Sequence, residues 1–300
     1  MRHDDTGMSA LTKALAMLIV FAIVVAVYFG VFAYKPPLEG APLKIAELKD
    51  TVSIRYIGAF EDSFVFDTSI SAVANDNATY PKALSFQWRA GYSDFAFAVG
   101  KTDCSDGSSD CAIIGMSNAV LGLKEGDRRT ATIPPDQGYG QKDPDLMQAR
   151  PIFEQLPVRE IMNFTTFQKR YKVVPNEGTY VTDPFWGWES MVHVSGGLVT
   201  VENSPTISQD YPLYANKTKG GTWAVEVASI DDGANNGTGI ITVVNRFTFT
   251  GGNKLKVTET SGDIFVTENE DGTYTFDRNR EVVGVNLVFT ITVVQITKSS

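Results

Sequence analysis

Residues 115–148, GMSNAVLGLKEGDRRTATIPPDQGYGQKDPDLMQ, constrain the fold of this chain more than any other stretch. Val120, Leu121 and Leu123 supply the apolar side of a short helix. Gly122 and Gly126 end it and turn the chain, and residues 128–133 alternate as a half-buried strand does. Pro134 and Pro135 then stop the strand, because neither can donate to a ladder, and Tyr139 is left on the loop that follows. Helix, glycine turn, strand and aromatic-bearing loop follow one another without slack.

With 300 residues and 43% hydrophobic content, the chain can bury one or two sizeable cores once its first residues are set aside, and two soluble domains are expected. Residues 11–34 are a nearly unbroken apolar run with Lys13 as the only charge, and about 20 apolar residues suffice to cross a bilayer. The expectation is one transmembrane helix. The alternatives are a cleaved signal peptide and a buried core helix. The run is long for a signal peptide and lacks a small-residue exit before Lys35, while a core helix would carry a polar face. Lysines and arginines on the two sides of the run do not settle its orientation. Cys104 and Cys111, the only cysteines, lie close together in a Gly/Ser/Asp loop that an oxidising compartment would let them close. Four Asn-x-Thr acceptors begin at Asn77, Asn163, Asn216 and Asn236. These signs together point to a single-pass protein of the cell membrane with its soluble part extracytoplasmic. A net charge of -9 argues against a nucleic-acid partner, which wants a basic face.

The 115–148 segment resembles the helix, strand and flap base of FKBP-type peptidyl-prolyl isomerases, and its end, YGQKDPDLMQ, resembles the SlyD-type branch. Residues 50–58 (DTVSIRYIG) with 65–69 (VFDTS) resemble the first core strands, 95–100 (FAFAVG) the third, and 284–296 (GVNLVFTITVVQI) the strand that closes the sheet. Four segments in the right order imply a family domain that is interrupted rather than truncated. The implied fold class is α+β: an FKBP-like antiparallel sheet wrapped on a short helix, with an inserted β-rich flap domain, preceded by one transmembrane helix. The expected division is residues 1–34 for the tail and anchor, 35–48 for a proline-stiffened linker, 49–148 for the first part of the FKBP-like domain, 149–280 for an enlarged insert-in-flap domain and 281–300 for the closing strand. Residues 69–94 form a longer excursion than the family usually has there, with Phe86 and Trp88 packing it down. The insert is about twice the length the resemblance implies. Its β-branched alternation reads as strands, and Asp271-Gly272 reads as a type I′ hairpin turn.

Rotating an X-Pro bond faces a barrier of roughly 18 to 20 kcal/mol, since the planar amide must lose its resonance. Neither a nucleophile nor a metal is required. A dry aromatic pocket with hydrogen bonds that suit the twisted amide lowers the barrier, and a gain of 10⁶ asks for about 8 kcal/mol. Carried over position by position, the resemblance implies catalytic roles for Tyr56, Phe66, Asp67 and Tyr139, and substrate-binding roles for Phe95, Phe97, Ile113, Met116 and Phe289. Tyr56, Phe66, Phe95 and Phe289 would be apolar walls, with Ile113 offering its N–H and Tyr139 its phenol. Asp67 would orient neighbours or meet the amide carbon as it twists, and Phe97 would be wall or core. The pocket floor, typically Trp in short relatives, falls on Met116, a narrower and more adaptable side chain. Without the family pattern, aromatics at alternating strand positions are usually core.

No cofactor and no metal site is expected. His3 and His193 sit apart from any ligand cluster, and Asp103, Asp106 and Asp110 lack the glutamate that closes a calcium loop. The implied partners are unfolded or partly folded polypeptides with X-Pro bonds, and the membrane through the N-terminal helix. Phe164, Phe167, Tyr171, Phe185, Trp186 and Trp188 are candidates for client contact or for the core of the insert. The expected function is peptidyl-prolyl isomerisation and chaperoning of extracytoplasmic proteins. The alternative is a non-catalytic holdase or cell-surface binding protein that retains the fold.

Overall fold

The computed structural model describes residues 44–105 and 108–299. The apolar run at 11–34 and most of the linker lie outside them. Among the described residues no helix is long and apolar enough to cross a membrane. The chain runs through β1 (Thr51–Phe60), β2 (Val65–Thr68), α1 (Ser71–Asn75), β3 (Phe95–Ala98), α2 (Ile114–Val120) and β4 (Arg128–Ile133). Then come β5 (Met147–Pro151), β6 (Phe153–Leu156), β7 (Arg159–Asn163), α3 (Phe164–Tyr171), β8 (Tyr180–Thr182), β9 (Glu189–Ser195) and β10 (Leu198–Asn203). The remaining strands are β11 (Asp210–Leu213), β12 (Thr218–Lys219), β13 (Gly221–Asp231), β14 (Ile240–Phe249), β15 (Lys254–Glu259), β16 (Gly262–Glu268), β17 (Thr273–Asp277) and β18 (Leu287–Thr297). Mostly antiparallel sheets with few helices result. One sheet has the order β2-β1-β18-β4 with β3 on β1. Among the described residues two compact units share the chain, one of residues 44–56, 92–131 and 290–299, the other of residues 57–91 and 132–289.

In the first unit β1 pairs with β3 from Thr51↔Ala98 to Ile54↔Phe95. Helix α2 buries Gly115, Met116, Ser117, Ala119 and Val120. Gly122, at φ +77°, turns the chain after α2 where a side chain would be strained. The expected alternation of β4 is only partly realised, since Arg128, Arg129 and Thr130 are all exposed. Arg129 shares the face of Ala131 and Ile133, and its guanidinium donates to the carbonyls of Ala119 and Leu121 at 2.8 and 3.2 Å. It caps α2 instead of packing inward. Cys104 and Cys111 are joined as a disulfide, with Cα atoms 5.9 Å apart.

Within the second unit, residues 158–276 supply two separate cores. Met162, Phe167, Val192, Val199 and Val201 form a small one under the sheet β7-β10-β9-β8 and α3. Asn163 starts α3 by accepting the Thr166 N–H at 2.8 Å. The larger core joins the sheets β11-β13-β14-β6 and β12-β15-β16-β17-β5. Trp223, Val225 and Val227 of β13 enter it at a period of two, as do Ile241 and Val243 of β14. Asn245, on the same face of β14, is buried but satisfied: it accepts from Trp223 Nε1 at 2.8 Å and donates to Glu154 at 2.8 Å. Phe167 and Trp188 are core, which removes them from the client-contact candidates, whereas Phe164 and Phe185 are exposed. The turn before β17 differs from expectation as well. Gly272 has φ +78° while Asp271 does not have a positive φ, and a type I′ turn needs both. Asp271 instead accepts from the N–H and hydroxyl of Thr273.

The segments that lead into and out of the insert are fastened by polar contacts. Lys142 Nζ donates to Asp277 at 2.6 Å, Asp143 N to Asn279 Oδ1 at 2.9 Å, and Asn279 Nδ2 back to the Asp143 carbonyl at 3.0 Å. Burial pushes the Asp277 carboxyl up, and the bonds from Lys142 and Asn279 outweigh it, so it is held below the usual range.

Candidate active site

Five of the residues singled out from the sequence lie in the first unit. Tyr56, on β1, meets the Phe95 ring edge-on at 6.1 Å, and Phe95 stacks on Phe97 at 5.4 Å. Phe95 is half-buried, while Phe97 has no exposed surface and belongs to the core. Met116 is buried on α2, and Ile113 precedes that helix, with its carbonyl accepting from Met116 N at 3.0 Å and Ser117 N at 3.2 Å.

Phe66, Asp67, Tyr139 and Phe289 lie in the second unit. Antiparallel pairing sets Gly58 of β1 opposite Asp67 of β2. The register slips between Gly58 and Ala59, which leaves Phe66 as an extra, bulged residue of β2 between Val65 and Asp67. Phe66 packs edge-on against Phe289 at 5.5 Å, and both rings lie over Gly58. A Cβ there would come within 2.8 Å of Phe66 and 2.9 Å of Phe289, so only glycine lets both rings reach the backbone.

Phe66, Asp67 and Tyr139 come together on one cavity of about 720 Å³. Asp67 accepts the Thr68 N–H at 2.8 Å and pairs with Arg89 at 2.9 Å, and Arg89 also donates to the Thr68 carbonyl. The Arg280 guanidinium lies 5.0 Å from the centre of the Tyr139 ring. Burial raises the Tyr139 phenol above its ordinary pKa; the Arg280 charge opposes this and the Asp67 charge reinforces it. The phenol is therefore a neutral O–H donor throughout the physiological range. The rest of the cavity wall comes from residues 261–265 and 278–282 together with Ser85 and Gln87. Among the described residues Ser85 Oγ is the buried side-chain polar atom without a partner. No group of three or more His, Cys, Asp or Glu side chains among the described residues could hold a metal ion.

Arg89, Arg280 and Glu281 are cavity residues that the sequence reading did not single out. Arg89 sits in the 69–94 excursion, where no motif marks it. The run Arg278-Asn279-Arg280-Glu281 just before the closing strand was a visible charge signal, but only folding brings it to Tyr139.

Residues 44–154 match the family described as FKBP-type peptidyl-prolyl cis-trans isomerase, so this segment carries an FKBP-type family domain. Strand β18 lies beyond the match. The chain is 35% identical over 102 residues to the short-type peptidyl-prolyl cis-trans isomerase of Methanocaldococcus jannaschii, a stretch covering 34% of this chain and 55% of the relative. It is 25% identical over 140 residues to FK506-binding protein 3 of Dictyostelium discoideum, covering 46% of this chain and 59% of that protein. The chain thus spans little more than half the length of these curated relatives.

Proposed function

We propose that this chain is an FKBP-type peptidyl-prolyl cis-trans isomerase acting on X-Pro bonds of polypeptides. The observation that carries the reading is the gathering of Phe66, Asp67 and Tyr139 on one cavity within a chain whose residues 44–154 match that family. Phe66 and Phe289 supply an apolar wall for the prolyl ring. Tyr139 supplies an O–H that a carbonyl can accept more strongly once the amide twists and its nitrogen loses conjugation. Asp67, held by Arg89 and the Thr68 N–H, fixes the local charge beside the reacting bond. The resemblance assigns wall and N–H roles to Tyr56, Phe95 and Ile113, and the pocket floor to Met116.

The finer reading is a SlyD-like branch member, anchored by residues 11–34, whose insert holds clients outside the membrane. The Cys104–Cys111 disulfide supports an oxidising compartment. Exposed Phe153, Ile161 and Tyr180 on the insert support chain binding, and they equally favour a non-catalytic holdase. Exchange NMR on short proline peptides separates the two. The wild type should accelerate isomerisation, and Asp67→Ala combined with Tyr139→Phe should lower kcat/KM by about tenfold or more, equivalent to at least about 1.4 kcal/mol of transition-state stabilisation. No acceleration by the wild type, or an unchanged rate in the double variant, sinks the enzyme reading. Thiol-reagent access to the reduced cysteines in intact cells tests the compartment.

A further inference from the structure

The cavity that holds Phe66, Asp67 and Tyr139 is lined by three arginines, Arg89, Arg278 and Arg280, and three acids, Asp67, Asp263 and Glu281. Each acid already has a cation. Asp67 pairs with Arg89 at 2.9 Å, Asp263 with Lys256 at 2.7 Å and Glu281 with Lys254 at 2.8 Å. Ser85 N adds a bond to Glu281 at 2.7 Å, and Thr258 Oγ1 one to Asp263 at 2.9 Å. Two of those three cations, Lys256 and Lys254, stand behind the wall. Arg278 and Arg280 are therefore left over, with no carboxylate at ion-pair distance among the described residues. Both rest on aromatic faces, Arg278 4.7 Å from the Phe276 ring centre and Arg280 5.0 Å from that of Tyr139. Stacking holds a guanidinium flat and leaves its edge N–H groups for an acceptor.

Two guanidinium groups without a carboxylate partner stand out in a chain of net charge -9. A concave wall concentrates such a field, and a flat guanidinium edge matches a carboxylate with two parallel N–H···O bonds. We infer that Arg278 and Arg280 select prolyl segments that carry an acidic side chain within two residues of the proline. The inference rests on the isomerase reading above and names the substrate class of the same cavity. Arg280 is the specificity-determining residue nearest the chemistry, because the ring it covers is that of Tyr139. An acidic flanking residue would bring its carboxylate to the arginine pair as the prolyl ring meets Phe66. A lysine at the same place would be repelled by the same pair.

The test uses the full chain and four pairs of short peptides, each pair with Glu or Gln at one of the two positions before or the two positions after a single proline. Exchange NMR gives kcat/KM for each peptide at low salt and again in 0.5 M NaCl. In at least one pair Glu should exceed Gln by about fivefold to tenfold at low salt, and the ratio should shrink in high salt. The ratio should fall to about one in Arg278→Gln/Arg280→Gln and survive in part in Arg278→Lys/Arg280→Lys, which keeps charge but not the fork. Because the ratio is read within each variant, a general loss of rate cancels. Glu no better than Gln in every pair, or a preference that persists in the glutamine variant, overturns the inference. Should the wild type isomerise none of the peptides, the isomerase reading fails, and fluorescence anisotropy on the same peptides decides the remainder. Tighter binding of Glu peptides that the glutamine variant abolishes supports the selectivity, and equal binding of Glu and Gln peptides refutes it.

Discussion

At the scale of single residues, Gly58 shows how a small sequence signal acquires its reason from packing. The glycine belongs to the run that resembles the family's first strand, but nothing local to DTVSIRYIG says why it must lack a side chain. The two rings over it do. Phe66 and Phe289 are both buried, so neither can retreat from a methyl group 2.8 to 2.9 Å away without displacing its neighbours. Gly58→Ala should cost about 1–3 kcal/mol, read as a lower urea midpoint at unchanged m-value. It should also raise KM for proline peptides as the Phe66 wall shifts. An alanine variant with the wild-type midpoint would mean the rings move aside freely. Phe97 carries the complementary lesson. Its period-two spacing from Phe95 left wall and core equally open, and its complete burial decides for core.

Among elements, those whose signals are local were readable and those that depend on a partner were not. The turn after α2 needed only Gly122, and the start of α3 needed only Asn163 and its own backbone. Strand β4 misled because its inward position 129 is an arginine that finds helix carbonyls rather than a core, a partner that alternation cannot reveal. Strand β9 supplies a pH-dependent contact of the same tertiary kind. His193 lies between Glu177 and Glu202, with ring nitrogens 3.2 Å from each. The hydrogen bond with Glu177, then that with Glu202, raises its pKa above the ordinary value. A raised folded value means the stabilisation is fully present below about pH 6.5 and is lost as pH rises through the folded pKa. Since the site is partly exposed, the gain should stay under about 1 kcal/mol. Urea midpoints between pH 8 and pH 6 should rise more for the wild type than for His193→Gln. Equal rises would show that the imidazolium contributes nothing.

For the molecule as a whole, the insert is the element whose meaning changed most. Motif order sets residues 149–280 apart as one enlarged insert domain. Instead, its larger core borders the 57–91 segment within one compact unit. Lys254 sits 5.2 Å from the centre of the Phe60 ring, and Glu281 binds Ser85 and Lys254 together. Gly220 leaves no room for a Cβ against Leu84. Replacing residues 149–276 by a short linker should therefore lower the melting temperature by about 5 °C or more and reduce turnover of neutral proline peptides, because residues 261–265 of the cavity wall go with it. A truncated chain that keeps both would restore the picture of an independent module. The sequence by itself determined the strands, the glycine turns and the order of the family-like segments, since alternation, backbone freedom and motif spacing are written within a few residues. Only the tertiary structure decided that the insert has two cores, that Phe97 is interior, and that Arg278 and Arg280 line one cavity with Asp67 and Tyr139. Those outcomes depend on which surfaces and charges meet across more than a hundred residues, and no local pattern encodes that meeting.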